Sequence, residues 1–205
     1  MTKKIHDRVS SVHRNTNETE IQVSVNLDGT GKHSITTGLP FFDHMIQQVS
    51  KHSLIDINIK CNGDLEVDSH HTVEDVGWTL GKAINEALGD KQGIKRYSFN
   101  YLPMDECLTR CCIDISGRPW LIWNVFLPNL KIKDIETEIF REFFQALSQS
   151  AKFTLHIENI YGQNTHHIIE SCFKSMAVSL RNAINLDLRN LDSVPSTKGT
   201  LTGNK

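Results

Sequence analysis

The chain has 205 residues, of which 39% are hydrophobic and 22% are charged, so it is long enough to bury a substantial core as one domain or as two fused halves. Its net charge of −2 argues against general affinity for nucleic acid or for an anionic membrane, and no run of about 18 apolar residues predicts a membrane span. Five cysteines without a Cys-x-x-Cys spacing, and a start without the apolar stretch of a signal peptide, are typical of a cytoplasmic protein.

The first half of the chain predicts three strands and two helices. Alternating apolar residues predict the strands, and apolar residues three or four apart predict the helices. Either Asp68 or Ser69 can cap the second helix, and Gly89 can end it. In chain order the predicted elements are a strand over residues 21–27, a strand over 33–37, a helix over 41–52, a strand over 54–61 and a helix that begins near residue 70.

The second half predicts the same elements in the same order, with strands over residues 108–115, 120–127 and 153–157 and helices that begin near 139 and 166. When the two halves are aligned, Ser50 corresponds to Ser148, and Glu18 corresponds to Glu106. We therefore predict one domain, residues 1–205, made of two pseudo-symmetric repeats and an extended polar tail. The repeats cover about 1–93 and 94–190, and the tail covers 191–205.

The predicted fold class is α/β, an α+β sandwich with two antiparallel sheets on one side and the helices on the other. A His-His-x-x-Glu motif opens the last helix of each half, where residues 68–75 read DSHHTVED and residues 164–171 read NTHHIIES. On a helix the first histidine and the glutamate project together, whereas the second histidine is turned by roughly 100°. A single ion cannot easily take all three side chains, so we predict two metal sites.

Each predicted site combines the His-Glu pair of one motif with the second histidine of the other motif. His44 and its pseudo-equivalent Glu142 offer one further ligand each. Nitrogen and oxygen ligands without sulfur suit Mn²⁺, Fe²⁺ or Co²⁺, or Zn²⁺ less distinctively, and argue against a closed structural zinc site. The alternative is that each histidine pair only caps a helix or fills a polar pocket. Outside the motifs, His52 is interpreted as a surface residue. Site one contains His44, His71, His166 and Glu170, and site two contains His70, Glu74, Glu142 and His167.

Along nearly its whole length the chain resembles the imidazoleglycerol-phosphate dehydratase family. The resemblance implies an internally duplicated fold like the second domain of ribosomal protein S5. It also implies two Mn²⁺ ions per active site and a homo-oligomer of 24 subunits with sites at the subunit interfaces. Glu142 stands where some members have histidine, and a carboxylate is also a ligand for Mn²⁺. The stretches that carry the resemblance are residues 18–19, 27–31, 42–45, 68–75, 103–106, 116–119, 154–156, 164–174 and 196–199.

The family resemblance implies a hydro-lyase that converts D-erythro-imidazoleglycerol phosphate to imidazoleacetol phosphate in histidine biosynthesis. A carboxylate must move a carbon-bound proton in this reaction. We predict Glu18 as that base, Glu170 as a metal-bound alternative, and Asp105 or Glu106 as supporting groups. Cations and hydrogen-bond donors must hold the phosphate, and the resemblance implies Arg96, Arg118, Lys174, Ser196 and Lys198 for this role. The predicted substrate-binding residues are Glu18, His44, Gln48, His70, His71, Glu74, Arg96, Arg118, His166, His167, Lys174, Ser196 and Lys198.

Two other functions are compatible with parts of this pattern. A two-metal hydrolase would also use paired ions, in that case to activate water. A non-catalytic RNA-binding module with an S5-like fold would present a basic face with exposed aromatic residues, which the near-neutral charge argues against. We expect a small phosphorylated substrate and neither a nucleic-acid nor a membrane partner.

Overall fold

The computed structural model describes residues 8–201, which form two four-stranded sheets, a two-stranded hairpin and four helices. Among these residues no helix combines the length and the apolar character that crossing a membrane requires. In chain order the elements are β1 (Val9–Asn15), β2 (Thr19–Asn26), β3 (His33–Thr36), α1 (Pro40–Ser53), β4 (Asp56–Gly63), α2 (His70–Leu88), β5 (Tyr97–Met104), β6 (Cys107–Asp114), β7 (Trp120–Asn124), β8 (Lys131–Ile132), β9 (Ile135–Glu136), α3 (Ile139–Ala151), β10 (Thr154–Tyr161) and α4 (Thr165–Ile184).

The two large sheets share one topology, with strand orders β1-β2-β4-β3 and β5-β6-β10-β7. The predicted α+β class is confirmed, but the sheets are mixed rather than wholly antiparallel. β3 pairs with β4 in parallel, and β7 pairs with β10 in parallel. The reason is the connection, because a helix lies between the two strands of each parallel pair and returns the chain in the same direction.

The four helices lie between the two sheets. α1 and α2 contact the first sheet, α3 and α4 contact the second, and across the middle α1 packs on α4 while α2 packs on α3. Aromatic packing joins the helices to one another. The ring of Phe143 on α3 contacts the ring of Phe42 on α1, with 5.5 Å between centroids, and the ring of Phe173 on α4, with 5.1 Å between centroids. The helices are therefore apolar on two sides, and the expected arrangement with all helices on one side is wrong.

A side-chain hydrogen bond recurs at equivalent places in the two halves of the chain. Ser50 donates to the carbonyl of Ile55 at 2.8 Å after α1, and Ser148 donates to the carbonyl of Phe153 at 2.8 Å after α3. The sequence register that placed Ser50 on Ser148 thus corresponds to the same local structure. Each half also begins with a strand that the sequence pattern did not predict, β1 and β5.

The tail that follows α4 folds back onto the body of the protein. The backbone N–H of Gly93 donates to the carbonyl of Ser193 at 3.0 Å, and Arg96 donates to the carbonyl of Pro195 at 2.8 Å. Leu201 is buried, and a Cβ atom on Gly117 would lie 1.9 Å from the Leu201 carbonyl oxygen. The tail up to residue 201 is therefore fastened at three points, although its polar sequence indicated an extended segment.

Candidate functional site

One cluster of candidate metal ligands lies where α1 packs on α4. Among residues 8–201 it is the single group of three or more such side chains, and its ligand atoms all lie within 4.8 Å of one another. Nε2 of His166 is 2.9 Å from Oε2 of Glu170, and Nε2 of His44 is 3.5 Å from the same oxygen. Glu170 is buried, while both histidines are more accessible. Two imidazoles and a carboxylate therefore converge on one accessible point.

The start of α4 fixes two of these ligands. Asn164 caps the helix, since its side-chain oxygen accepts a hydrogen bond from the backbone N–H of His166 at 2.9 Å. His166 therefore lies in the first turn, and Glu170 follows one turn later on the same face. The ring of Phe41 meets the ring of His166 edge to face, with 5.1 Å between centroids. This packing holds the imidazole against α1, where His44 lies.

The surroundings of Glu170 favour its ionised form, which is the form that binds a cation. Burial alone would raise its pKa, but hydrogen bonds from Lys174 and His166 outweigh that effect and lower the pKa below its ordinary value. Nζ of Lys174 is 2.5 Å from Oε1 of Glu170. Because a carboxylate must be ionised to bind a metal, these contacts favour the binding-competent form.

The first motif has a similar but more open geometry. The side chain of Asp68 accepts a hydrogen bond from the backbone N–H of His70 at 2.7 Å, as Asn164 does for His166. Nε2 of His70 is 3.8 Å from Oε2 of Glu74. Glu142 lies on α3, which packs on α2, but its carboxylate contacts Arg141 at 2.8 Å. Within one chain these predicted site-two ligands do not close into a cluster of three among the described residues.

The second histidine of each motif faces a carboxylate at the end of its own sheet. Nδ1 of His71 is 3.0 Å from Asp64, and Nε2 of His71 is 3.8 Å from Glu18. Nδ1 of His167 is 2.7 Å from Glu106, and its Nε2 is 3.8 Å from Asp105. A carboxylate on Nδ1 orients the ring and leaves Nε2 available for a metal.

A single chain therefore does not assemble either predicted four-ligand set. His71 lies apart from the His44 cluster, and His167 lies apart from His70 and Glu74. The cause is the turn of roughly 100° between successive helical residues, which points the second histidine toward its own sheet. The hydrogen bond with Asp64 raises the pKa of His71. The pKa of Glu106 falls to about 2, because the backbone N–H of Asn164 and then His167 donate to it.

Gln48 and His52 extend the cluster along α1. Nε2 of Gln48 is 3.4 Å from Nδ1 of His44, and Oε1 of Gln48 is 3.2 Å from Nε2 of His52. Burial and then the charge of Lys174 lower the pKa of His52. His52 was interpreted as a surface residue from the sequence; it is half-buried and its ring contacts Gln48. Its spacing of two helical turns from His44 was the signal that could have identified it.

The other predicted phosphate-binding residues lie at the far end of the molecule from this cluster. The backbone N–H of Arg96 donates to the carbonyl of Ala183 at 2.9 Å, in the last turn of α4. Arg118 lies beside Arg96, because both face Asp114. The tail brings in Ser196, whose hydroxyl oxygen accepts from the backbone N–H of Lys198 at 3.2 Å. Of the five predicted phosphate-binding residues, Lys174 alone lies with the metal cluster.

Comparisons with known proteins give one consistent result. The family model described as imidazoleglycerol-phosphate dehydratase matches residues 37–180. A Sinorhizobium fredii protein named imidazoleglycerol-phosphate dehydratase is 57% identical over 194 residues, covering 95% of this chain and 96% of that protein. The crystal structure of the Staphylococcus aureus dehydratase superposes with a TM-score of 0.80 at 36% identity, covering 87% of this chain and 99% of that one. The Pyrococcus furiosus dehydratase gives a TM-score of 0.80 at 32% identity, with 93% and 100% covered.

Proposed function

The chain belongs to the imidazoleglycerol-phosphate dehydratase family of hydro-lyases, and from this premise we propose that it removes water from D-erythro-imidazoleglycerol phosphate to give imidazoleacetol phosphate in histidine biosynthesis. The observation that carries the proposal is the convergence of His44, His166 and Glu170 at the N-terminal end of α4. Membership of a hydro-lyase family favours this reaction over a two-metal hydrolase and over an RNA-binding module. The cytoplasmic location stays a prediction.

The donor chemistry of the cluster fits Mn²⁺. Imidazole nitrogen and ionised carboxylate oxygen without sulfur are suitable ligands for this ion, and the contacts around Glu170 keep it ionised. When bound, Mn²⁺ would act as a Lewis acid and as a template for the substrate. His44, His166 and Glu170 would hold one ion, and His70, Glu74 and Glu142 would contribute to a second.

We propose that the second histidines complete these sites across subunit boundaries. Asp64 holds Nδ1 of His71 and Glu106 holds Nδ1 of His167, so that each presents Nε2 outward. His71 of one subunit would join the His44 cluster of another, and His167 would join the His70 pair. The separation of these groups within one chain supports an assembled active site, and the 24-subunit homo-oligomer stays a prediction.

Glu18 has the environment expected of the base that moves the carbon-bound proton. It is exposed and lies 3.8 Å from Nε2 of His71, so its carboxylate faces the same space as a proposed metal ligand. Glu170 is less suitable, because Lys174 and His166 already occupy its oxygens. Glu106 is a weak base, since its pKa is about 2, and it serves to orient His167. Asp105 is exposed beside the same histidine.

The proposed function is tested by titrating the metal-free protein with Mn²⁺ and following imidazoleacetol phosphate spectrophotometrically. We expect turnover that rises with Mn²⁺ and saturates. The variant Glu18→Gln keeps the shape of the side chain but loses the base, so it should bind Mn²⁺ normally and lose turnover by about 100-fold or more. Absence of product from the unmodified chain at every Mn²⁺ concentration would overturn the proposed function, and near-normal turnover of Glu18→Gln would remove Glu18 as the base.

A further inference from the structure

Asp114, the last residue of β6, lies between two arginines. Its Oδ1 accepts a hydrogen bond from Nε of Arg96 at 2.7 Å, and its Oδ2 accepts one from Nη2 of the same side chain at 3.2 Å. Nη2 of Arg118 is 3.9 Å from Oδ2 of Asp114. The Arg96 and Asp114 side chains are only 10% and 20% exposed, whereas Arg118 is 65% exposed. One carboxylate therefore aligns the guanidinium of Arg96 and lies beside that of Arg118 at the end of the second sheet.

Arg96 is held rigidly around this carboxylate. Its backbone lies in the left-handed region, with φ of 74°, and its carbonyl accepts from the N–H of Ile115 at 3.1 Å. The guanidinium carbon lies 4.4 Å from the centre of the Tyr97 ring. Three of its five N–H groups are used by Asp114 and by the Pro195 carbonyl, which leaves one on each terminal nitrogen for an anion.

The same guanidinium fastens the tail. Nη1 of Arg96 donates to the carbonyl of Pro195, and the next residue is Ser196. The tail then turns tightly, since the N–H of Gly199 donates to the carbonyl of Ser196 at 2.9 Å. Lys198 lies within this turn. Asp114 orients the guanidinium of Arg96, and this guanidinium is bonded to the residue before Ser196. The orientation of Arg96 therefore also affects where Ser196 and Lys198 lie.

We propose that Asp114 is a positioning residue for recognition of the substrate phosphate: it aligns Arg96, attracts the nearby Arg118 and, through Arg96, places Ser196 and Lys198. It acts through these groups and does not touch the substrate. The proposal rests on the proposed function, because that function supplies the phosphate. Removing the negative charge of Asp114 would make the site more positive. It would also leave the Arg96 guanidinium without the carboxylate that orients its hydrogen bonds. We expect the loss of direction to dominate, because charge-assisted hydrogen bonds depend on geometry.

The first repeat offers a matched control. Arg8 precedes β1 as Arg96 precedes β5, its guanidinium binds both carboxylate oxygens of Asp28, and its Nη1 donates to the carbonyl of Ile184 at 2.6 Å. This is the same fork and carbonyl pattern without the tail residues. Asp28→Asn therefore removes the same kind of carboxylate from an arginine outside the predicted phosphate-binding set, at a more exposed position, since the Asp28 side chain is 49% exposed and that of Asp114 is 20% exposed.

The test compares Asp114→Asn with Asp28→Asn in the Mn²⁺-loaded enzyme. For Asp114→Asn we expect KM to rise about ten-fold, kcat to stay within about two-fold, and inorganic phosphate to inhibit competitively about ten-fold more weakly. Asp28→Asn should leave KM and phosphate inhibition unchanged. Asp114→Glu keeps the carboxylate, so it should recover part of the lost phosphate affinity. If Asp114→Asn does not fold, the comparison is made with Asp114→Glu instead.

Three results separate the possible failures. An Asp114→Asn enzyme with reduced kcat and an unchanged KM would show a purely structural role and overturn the proposal. An equal rise of KM in Asp28→Asn would overturn it as well. If the unmodified chain does not turn over the substrate, the proposed function fails. Calorimetric titration with inorganic phosphate then tests the role of Asp114 separately. Equal phosphate affinity of the unmodified chain and of Asp114→Asn would overturn that role.

Discussion

Lys91 lies in the turn after α2 and is only 1% exposed, yet its Nζ has no hydrogen-bond partner among the described residues. Burial, and then the nearby charge of Lys152, lower the pKa of Lys91 to about 8. In the unfolded chain the pKa of a lysine is about 10.4. Between these two values the unfolded state binds more protons, so the stability of the folded protein rises with pH. Below pH 8 the ammonium is charged in both states, and its burial destabilises the folded protein fully.

Lys91→Met should therefore stabilise the protein at pH 7 by about 1–3 kcal/mol, because it removes the buried charge at similar volume. The gain should shrink as pH rises above 8 and fall below about 0.5 kcal/mol near pH 10.5, where the folded lysine is neutral and the unfolded one is about half protonated. Urea unfolding at pH 7 and at pH 10.5 measures this difference. Lys152→Met, at an exposed site nearby, should change the stability by less than about 0.5 kcal/mol. An equal gain from Lys91→Met at both pH values would contradict the electrostatic explanation.

At the scale of single residues, sequence spacing was informative only where two groups share a helix face. The pairs His70 with Glu74 and His166 with Glu170 follow directly from the i, i+4 rule. Nothing in the sequence identified Asp114, because one aspartate at a strand end carries no spacing signal. The role of such a residue depends on which arginine packs beside it, and this contact exists only in the folded chain.

At the scale of whole elements, the caps of α2 and α4 set the position of the motifs. Asp68 and Asn164 each accept a hydrogen bond from the backbone N–H of the first motif histidine, His70 or His166. Asp68→Ala and Asn164→Ala should each lower the free energy of unfolding by about 1 kcal/mol. Because Asn164 also fixes the turn that bears His166, Asn164→Ala should weaken Mn²⁺ binding as well. Thermal unfolding and metal titration measure the two effects.

Ser69 provides the matched control for these caps. It stands at the N-cap position of α2, but its side chain makes no capping hydrogen bond. Ser69→Ala should therefore leave both stability and Mn²⁺ binding unchanged, within about 0.5 kcal/mol. A loss in Ser69→Ala equal to that in Asp68→Ala would show that Asp68 is not the effective cap.

Hydrophobic periodicity predicted the helices and the strands that bury a full face, and the edge strands β3 and β7 were predicted as well, but β1 and β5 were missed. The helices and the inner strands β2, β4, β6 and β10 were predicted because their alternating or helical apolar residues point into the core. β1 has one buried residue, Val12, and β5 has none that is fully buried. Both are edge strands, whose pairing depends on a neighbour rather than on their own pattern. The mixed pairing likewise depends on the helical crossovers and not on the strand sequences.

At the scale of the whole molecule, α4 separates the two halves of the proposed active site. The helix has 20 residues and is therefore about 30 Å long. His166 and Glu170 lie near its start, whereas Arg96 is hydrogen-bonded to Ala183 in its last turn. A substrate with a short glycerol phosphate chain cannot reach from one end to the other. We therefore expect the metal cluster of one subunit to work with the predicted phosphate-binding residues of another, in line with the proposed sites across subunit boundaries.

This separation predicts complementation between inactive variants. His166→Ala removes a proposed metal ligand and Lys198→Ala removes a proposed phosphate contact, so each homo-oligomer should have low activity. When the two chains are co-expressed in equal amounts and assemble at random, about one quarter of the sites should receive both intact residues from different subunits. The purified mixture should regain about that fraction of the unmodified activity. His166→Ala with Glu170→Ala is the control, because both residues belong to the cluster within one chain and should not complement. Equal activity of the two mixtures would place the metal ligands and the phosphate contacts of each site in the same subunit.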